Sequence, residues 1–253
     1  RTLMKGIHPL SVAVFTDDPL LQLGSADQYV RSSQGIFSPP AETDRRHAPV
    51  DFESRRLRVG YVSSDLRDHA IGYLMAEFFE LHDRSKIEVF AYYCGPESKS
   101  PLQTRIKAAV EHWTDIRNMT DDEAAQAVAA DGIDILVDVN GHTRDAKPGL
   151  FARRAAPILV NWLGYPGTMG TPYHHYVVAD DWIVPPGSEK YYSEKVVRLP
   201  CYQPNDRKRQ VAATPTRAEL GLPDEAFVYC CFNGTHKIAR FTFDRWTEIL
   251  KRV

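Results

Sequence analysis

From Leu57 onward the chain alternates between two hydrophobic rhythms, and this alternation limits its fold more than any other feature. Short apolar, largely β-branched or aromatic runs occur at Arg58-Val59-Gly60-Tyr61-Val62, Ile87 to Tyr93, Ile133 to Val139, Pro157 to Leu163 and Tyr176 to Ala179. Segments with helical spacing lie between them. Ala70 to Leu81 sets Leu74, Phe78 and Leu81 on one face, and residues 101–112 do the same with Ile106, Ala109 and Val110. Thr120-Asp121-Asp122-Glu123 opens a further helix, with a Thr cap and a Glu three residues on, running to about Ala130. Strands that are apolar throughout are buried on both faces. Alternating with helices, they give βαβ units, right-handed crossovers and a parallel sheet covered on both sides. The expected class is α/β.

Three zones follow. Residues 1–56 read as a helical segment plus linker. Leu10, Val12, Val14 and Phe15 form an apolar run, and Asp18-Pro19 is a helix start. Leu20, Leu21, Leu23, Ala26 and Tyr29 continue at helical spacing, and 36–56 is polar and proline-bearing. Residues 57–205 form the α/β domain. Residues 206–253 read as the first βα unit of a second such domain: an apolar strand from Ala226 to Phe232, the loop Asn233 to Arg240, and a helix at Asp244–Arg252. Thr216 caps a short helix before that strand. The chain starts at Arg1 and stops within an amphipathic run, so it is expected to be a piece of a longer protein that is inactive alone.

Composition narrows the function classes. With 31 Lys and Arg against 33 Asp and Glu, the net charge of -2 lacks the basic footprint of duplex binding, so no nucleic-acid partner is expected. No apolar run reaches the ~18 residues of a membrane span, so no membrane partner is expected either. Four cysteines in 253 residues, two of them adjacent at Cys230–Cys231, do not make a disulfide scaffold; a reducing cytoplasm is the expected setting.

Ligands of open α/β sheets bind beyond the carboxyl ends of the strands, which singles out four loops. Ser63-Ser64-Asp65-Leu66-Arg67-Asp68-His69 brings two carboxylates and an imidazole to a helix start. There His69 can act as a base, a carboxylate can orient it, and helix N–H groups suit phosphates; the same residues would also serve as plain helix caps. Asp138-Val139-Asn140-Gly141-His142-Thr143 follows the most apolar strand and reads either as a site wall or as an Asn-Gly turn. Trp162-Leu163-Gly164-Tyr165-Pro166-Gly167-Thr168-Met169-Gly170 allows close backbone approach to a ligand, as would any tight turn. Asn233-Gly234-Thr235-His236-Lys237 offers a Lys that either neutralises a phosphate or is solvated. No GxGxxG, CxxC or HExxH pattern occurs, and His174-His175, adjacent on a strand, would point to opposite faces, so no metal is expected.

Together these loops resemble one family. Arg58-Val59-Gly60-Tyr61-Val62-Ser63-Ser64-Asp65 with His69, Trp162-Leu163-Gly164-Tyr165-Pro166-Gly167-Thr168, and Phe232-Asn233-Gly234-Thr235-His236-Lys237-Ile238 resemble, in order and spacing, the catalytic region of O-linked N-acetylglucosamine transferases of the bacterial type, in glycosyltransferase family 41. Ile7-His8-Pro9-Leu10 with Asp17-Asp18-Pro19 resembles the segment that joins that family's tetratricopeptide repeats to its core. The resemblance implies a GT-B fold of two Rossmann-like domains. It also implies inverting transfer of N-acetylglucosamine from UDP-GlcNAc to Ser or Thr hydroxyls of protein or peptide acceptors, with no cofactor and no metal. It matches His69 and Asp65 to the base region, His8 to a further active-site His, and Lys237 to the diphosphate contact. It assigns Ala70, Ile71, His142, Leu163, Gly164 and Tyr165 to the substrate pocket, together with Pro166, Gly167 and Thr168, and, in the second domain, Asn233, Gly234 and His236. His142 and His236 stand where animal members carry Tyr. The remaining partners implied are upstream repeats and the rest of the C-terminal domain. Two other readings stay open: a related UDP-glucose-dependent enzyme that modifies Asn, and a non-catalytic nucleotide-sugar or peptide-binding module.

Overall fold

The computed structural model describes residues 7–32 and 54–253, and the chain divides into two compact units, Arg1–Arg207 and Lys208–Val253. The first opens with helices α1 (Pro9–Phe15) and α2 (Pro19–Ser32). Proline occupies the first position of each; Asp18 Oδ1 caps α2 by accepting from the Leu20 N–H at 2.9 Å. The apolar run at Leu10–Phe15 is therefore helical.

The rest of the unit is β1 (Leu57–Ser63), α3 (Ala70–Glu80), β2 (Ile87–Tyr93), α4 (Pro101–Ala109), β3 (His112–Asp115), α5 (Asp121–Ala130), β4 (Ile135–Asp138), α6 (Pro148–Ala152), β5 (Ile158–Asn161), β6 (Tyr176–Ala179) and β7 (Lys195–Arg198). All strand pairs are parallel, in the order β3-β2-β1-β4-β5-β6-β7. The chain runs outward from β1 to β3, then crosses back to lay β4 on the other side of β1. That reversal makes the β1/β4 boundary the topological switch point, where ligands of such sheets bind.

The two-residue period of β1 builds both cores. Val59 and Tyr61 join Met75, Phe79, Ile106 and Val137 on one face. Val62 joins Tyr92, Val128, Leu136, Leu150 and Leu159 on the other. The capping box at Thr120 forms as the sequence indicates: Thr120 Oγ1 accepts from the Glu123 N–H, and Glu123 Oε2 accepts from the Thr120 N–H at 2.7 Å. Arg207 closes the unit by a bidentate pair with the buried Glu77 of α3 (Nη2 to Oε1, 2.7 Å).

The structure corrects the sequence reading at several points. The helix expected over 101–112 stops at Ala109 because His112–Asp115 pairs with β2 as an edge strand. Edge strand β7 and the five-residue α6 had no sequence counterpart. Of the expected linker 36–56, residues 36–53 lie outside the described residues, while Arg55 forks onto Asp134 with two bonds of 2.7 Å.

In the second unit, residues 226–232 are not a strand. Among the described residues no neighbouring strand pairs with them, and Phe227 and Phe232 are exposed. A strand exists only through its ladder. Thr216 and Glu219 exchange the bonds of a capping box, but the backbone makes only a turn there. The last helix, α7, spans Arg240–Leu250 and so begins four residues before the expected Asp244.

Candidate active site

The loops after β1, β4 and β5 meet at the switch point. After β1, Asp65 donates its N–H to Ser63 Oγ (3.0 Å), and the Arg67 N–H bonds back to Asp65 O (2.8 Å), a γ-turn about Leu66. This turn aims the Asp65 carboxylate inward, where its Oδ2 accepts from Asn140 Nδ2 at 3.0 Å. Its Oδ1 faces Arg67 Nη2 at 3.6 Å and His69 Nδ1 at 3.8 Å.

His69 is the N-cap of α3. Its Nδ1 accepts from the Ile71 N–H at 3.3 Å. A ring nitrogen that accepts carries no proton, so in this state the proton sits on Nε2. The side chain is 41% exposed. Ala70 is exposed on the first turn of α3, and Ile71 is buried behind it.

After β4, buried Asp138 Oδ1 accepts from the Asn140 and Gly141 N–H groups at 3.0 and 2.7 Å. Gly141 takes φ +58, and Thr143 N bonds to Gly141 O at 2.9 Å, so His142 sits in a tight turn. His142 is buried and its Nε2–H donates to Met169 O at 2.9 Å. Burial pushes its pKa down to about 4, outweighing that hydrogen bond, so the ring stays neutral. Three rings surround it edge-on: Tyr165 at 5.2 Å, Tyr29 of α2 at 5.5 Å and His8 at 6.4 Å between centroids. His8 precedes α1, packs on Tyr29 at 5.2 Å, and its pKa is likewise lowered by burial. The opening helices therefore pack on the loop that carries His142. Gly170 lets α2 approach closely, since a side chain there would meet the backbone at Ala26 and Asp27.

After β5, Leu163 is held at φ +80, with Gly164 N bonded to Trp162 O at 3.2 Å. A γ-turn with positive φ at a non-glycine residue is strained, and such strain collects at functional sites. The neighbours of the loop hold it there. Tyr202 Oη donates to Leu163 O (2.6 Å), and Asn161 Nδ2 donates to Tyr165 O (3.1 Å) and Gly167 O (3.3 Å). Tyr192 Oη donates to Pro166 O (3.1 Å). Buried Glu194 accepts from Thr168 Oγ1 (2.8 Å) and from the Met169 N–H (2.6 Å). Gly164 lies against Val139 O, where a side chain would collide.

The first unit thus brings together His8, Asp65, His69, Ala70, Ile71, His142 and the loop from Leu163 to Thr168. Asn233, Gly234, His236 and Lys237 belong to the second unit, where Thr235–Lys237 is a 3-10 turn closed by Lys237 N to Gly234 O at 2.9 Å, and Lys237 is exposed.

His174 and His175 diverge, as neighbours on an extended segment should. His174 Nδ1 pairs with Thr171 Oγ1 (2.8 Å) and its Nε2 lies 3.4 Å from Asp138, whereas His175 Nδ1 accepts from the Leu159 N–H (2.9 Å). Among the described residues no group of three His, Cys, Asp or Glu side chains is placed to hold a metal ion. Sequence reasoning missed Asn161, Tyr192, Glu194 and Tyr202. Asn161 had a usable signal, as a polar residue closing an apolar strand; Glu194 had none.

Comparison with known proteins identifies the family. The sequence profile of glycosyl transferase family 41 matches residues 42–206 and 201–253. All of the chain aligns, at 35% identity, with a probable UDP-N-acetylglucosamine–peptide N-acetylglucosaminyltransferase, SEC, of Arabidopsis thaliana, and covers 27% of it. An enzyme of Caenorhabditis elegans named UDP-N-acetylglucosamine–peptide N-acetylglucosaminyltransferase is 37% identical over 58% of the chain, which spans 13% of that protein. The solved structure of a mutant of Thermobaculum terrenum O-GlcNAc transferase superposes with a TM-score of 0.78 at 35% identity, covering 97% of this chain and 46% of the other. The chain therefore spans between about an eighth and a half of these relatives, yet the family profile covers most of it. It belongs to glycosyl transferase family 41.

Proposed function

We propose that the chain supplies part of the catalytic core of an inverting glycosyltransferase of the GT-B type, moving N-acetylglucosamine from UDP-GlcNAc to Ser or Thr hydroxyls of protein acceptors. The observation that carries this reading is the pairing of Asp65 and His69 at the switch point, with one carboxylate oxygen fixed by Asn140 and the other facing the imidazole. Inversion needs an acceptor oxygen that attacks C1 as the C1–O bond to the diphosphate breaks. The bonding pair leaves with UDP, and the hydroxyl proton passes to a base. His69 Nε2 can take that proton once Nδ1 carries its own proton toward Asp65 Oδ1, and the imidazolium formed lies beside a carboxylate.

Lys237 supplies positive charge for the departing diphosphate, with helix N–H groups as further donors. In this reading no divalent metal takes part. Buried His142 and Tyr165 form an uncharged aromatic cluster beneath the loops, and the half-buried His8 at its edge is the ring placed to meet a sugar or a peptide.

The test uses the intact protein with UDP-GlcNAc and an acceptor peptide, with chelator present. His69→Ala is expected to lower kcat by about 100-fold or more, the range of a lost general base. Lys237→Ala should lower turnover comparably. Near-wild-type transfer by either variant removes that residue from the mechanism, and preference for UDP-glucose in a competition assay would change the donor.

A further inference from the structure

We infer that Asn140 is a positioning residue that sets the carboxylate of Asp65 against His69, an inference that rests on the function proposed above. Asn140 lies at the end of β4 and is 1% exposed. Its hydrogen bonds settle which way its amide points. The Ser64 N–H donates to Oδ1 at 2.8 Å, and a backbone N–H cannot accept. The oxygen therefore faces β1, and the amide nitrogen faces the three oxygens around it: Ser64 Oγ (2.8 Å), Asp65 Oδ2 (3.0 Å) and Thr143 Oγ1 (3.0 Å). A flipped amide would set oxygen against a carboxylate and NH2 against an N–H.

Two consequences follow. The carboxylate of Asp65 has one oxygen engaged, so rotation about its χ2 is restrained and Oδ1 is left toward His69. The Asn140 backbone is itself anchored by Asp138 Oδ1, so this restraint refers to the rigid end of β4 and not to a free loop. Neither the Ser64 nor the Thr143 contact acts on a reacting group. The contact with Asp65 does, through His69.

The test is a double-mutant cycle in the intact protein, measuring kcat and KM for UDP-GlcNAc transfer with thermal unfolding in parallel. Asn140→Ala is expected to lower kcat by about 100-fold, the cost of misplacing a catalytic group by about 1 Å, with KM for the donor nearly unchanged. Asn140→Asp keeps the size and the acceptor for Ser64 N–H but places oxygen against Asp65, and should be as damaging as Ala. In an Asp65→Asn background, Asn140→Ala should add little, because its target is gone.

Equal loss from Asn140→Ala in both backgrounds would show a purely architectural Asn and overturn the inference while leaving Asp65 in its role. A near-normal kcat in Asp65→Asn alone would instead refute the role of Asp65, and the positioning with it. Asn140→Ser, too short to reach Asp65, serves where Ala does not fold; wild-type kcat in a folded Ser variant also overturns the inference.

Discussion

Replacing Gly141 by Ala tests how the loops after β4 and β5 are locked together. Gly141 stands between Asn140 and His142 at φ +58. A Cβ there would lie 2.7 Å from Tyr165 Cβ, 3.0 Å from Asn161 Oδ1 and 3.1 Å from Met169 Sδ. Carbon atoms pack at about 3.5–4.0 Å, so the loops must separate by about 1 Å. The left-handed backbone adds about 1–2 kcal/mol for a side-chain-bearing residue, and overpacking about 1–3 kcal/mol. The sum is about 2–5 kcal/mol, and at about 2–4 °C per kcal/mol the melting point should fall by between about 4 and 20 °C.

The same 1 Å reaches Asn140 and His142, so transfer should drop by about 100-fold in protein that remains folded. Gly187→Ala is the control. Gly187 has φ +90, but a methyl group there would meet nothing within 4 Å, so it carries the backbone cost alone. The assays are calorimetric unfolding and initial rates with UDP-GlcNAc. Equal melting points for the two variants, with Gly141→Ala transferring at the wild-type rate, would refute the locked-loop argument.

Two further outcomes are expected. His142 has a folded pKa lowered by burial to about 4 against about 6.5 unfolded, so the unfolded chain binds more protons between those values and stability rises with pH across that window. The difference is about 3 kcal/mol, fully present above pH ~6.5 and lost as pH falls toward 4; denaturant unfolding should show this slope in the wild type and less of it in His142→Phe, and identical slopes would count against it. Glu194→Ala leaves the Met169 N–H buried without its carboxylate, at about 1–3 kcal/mol, and loosens Thr168, so melting point should fall and KM for the sugar nucleotide rise; no change in either would remove the clamp.

What the sequence made legible was whatever depends on periodicity or on local chemistry. The five strands expected between Arg58 and Ala179 all form, because their apolar residues are buried on both faces of one sheet. The Thr120 capping box could be read because both partners lie within four residues. β3 and β7 were hidden because edge strands need few apolar residues: His112-Trp113-Thr114-Asp115 is held by its ladder to β2 and by stacking of His112 on Phe90. Residues 226–232 erred in the opposite direction, since an apolar run states a propensity but cannot supply a neighbouring strand. At the site, the three loops of the first unit follow from the strand-end rule. Their long-range fasteners, Tyr202 on Leu163 and Glu194 on Met169, join residues 25–39 positions apart and leave no local pattern.

In the proposed mechanism, the geometry of His69 decides when Asp65 acts. In this state Nδ1 serves as acceptor for the Ile71 N–H and stands 3.8 Å from Asp65 Oδ1, beyond a hydrogen bond. As a base at Nε2, the ring must first move its proton to Nδ1, and a protonated Nδ1 can no longer cap α3. Loss of a cap costs about 0.5–2 kcal/mol, while a hydrogen bond to a charged group returns about 1.5–3 kcal/mol. At 3.8 Å that second bond is not yet made, so the capping tautomer, with the proton on Nε2, is the one held before substrate binds. Proton transfer from the hydroxyl changes that balance, because the ring becomes a cation with both nitrogens protonated. The cap is then unavailable in any case, and the carboxylate faces a full positive charge. In the proposed mechanism Asp65 stabilises the transition state more than the ground state, and its effect is expected in kcat and not in KM. The same reasoning explains why fixing the other oxygen of Asp65 on Asn140 is useful: a carboxylate already restrained needs little reorganisation at the moment the charge appears.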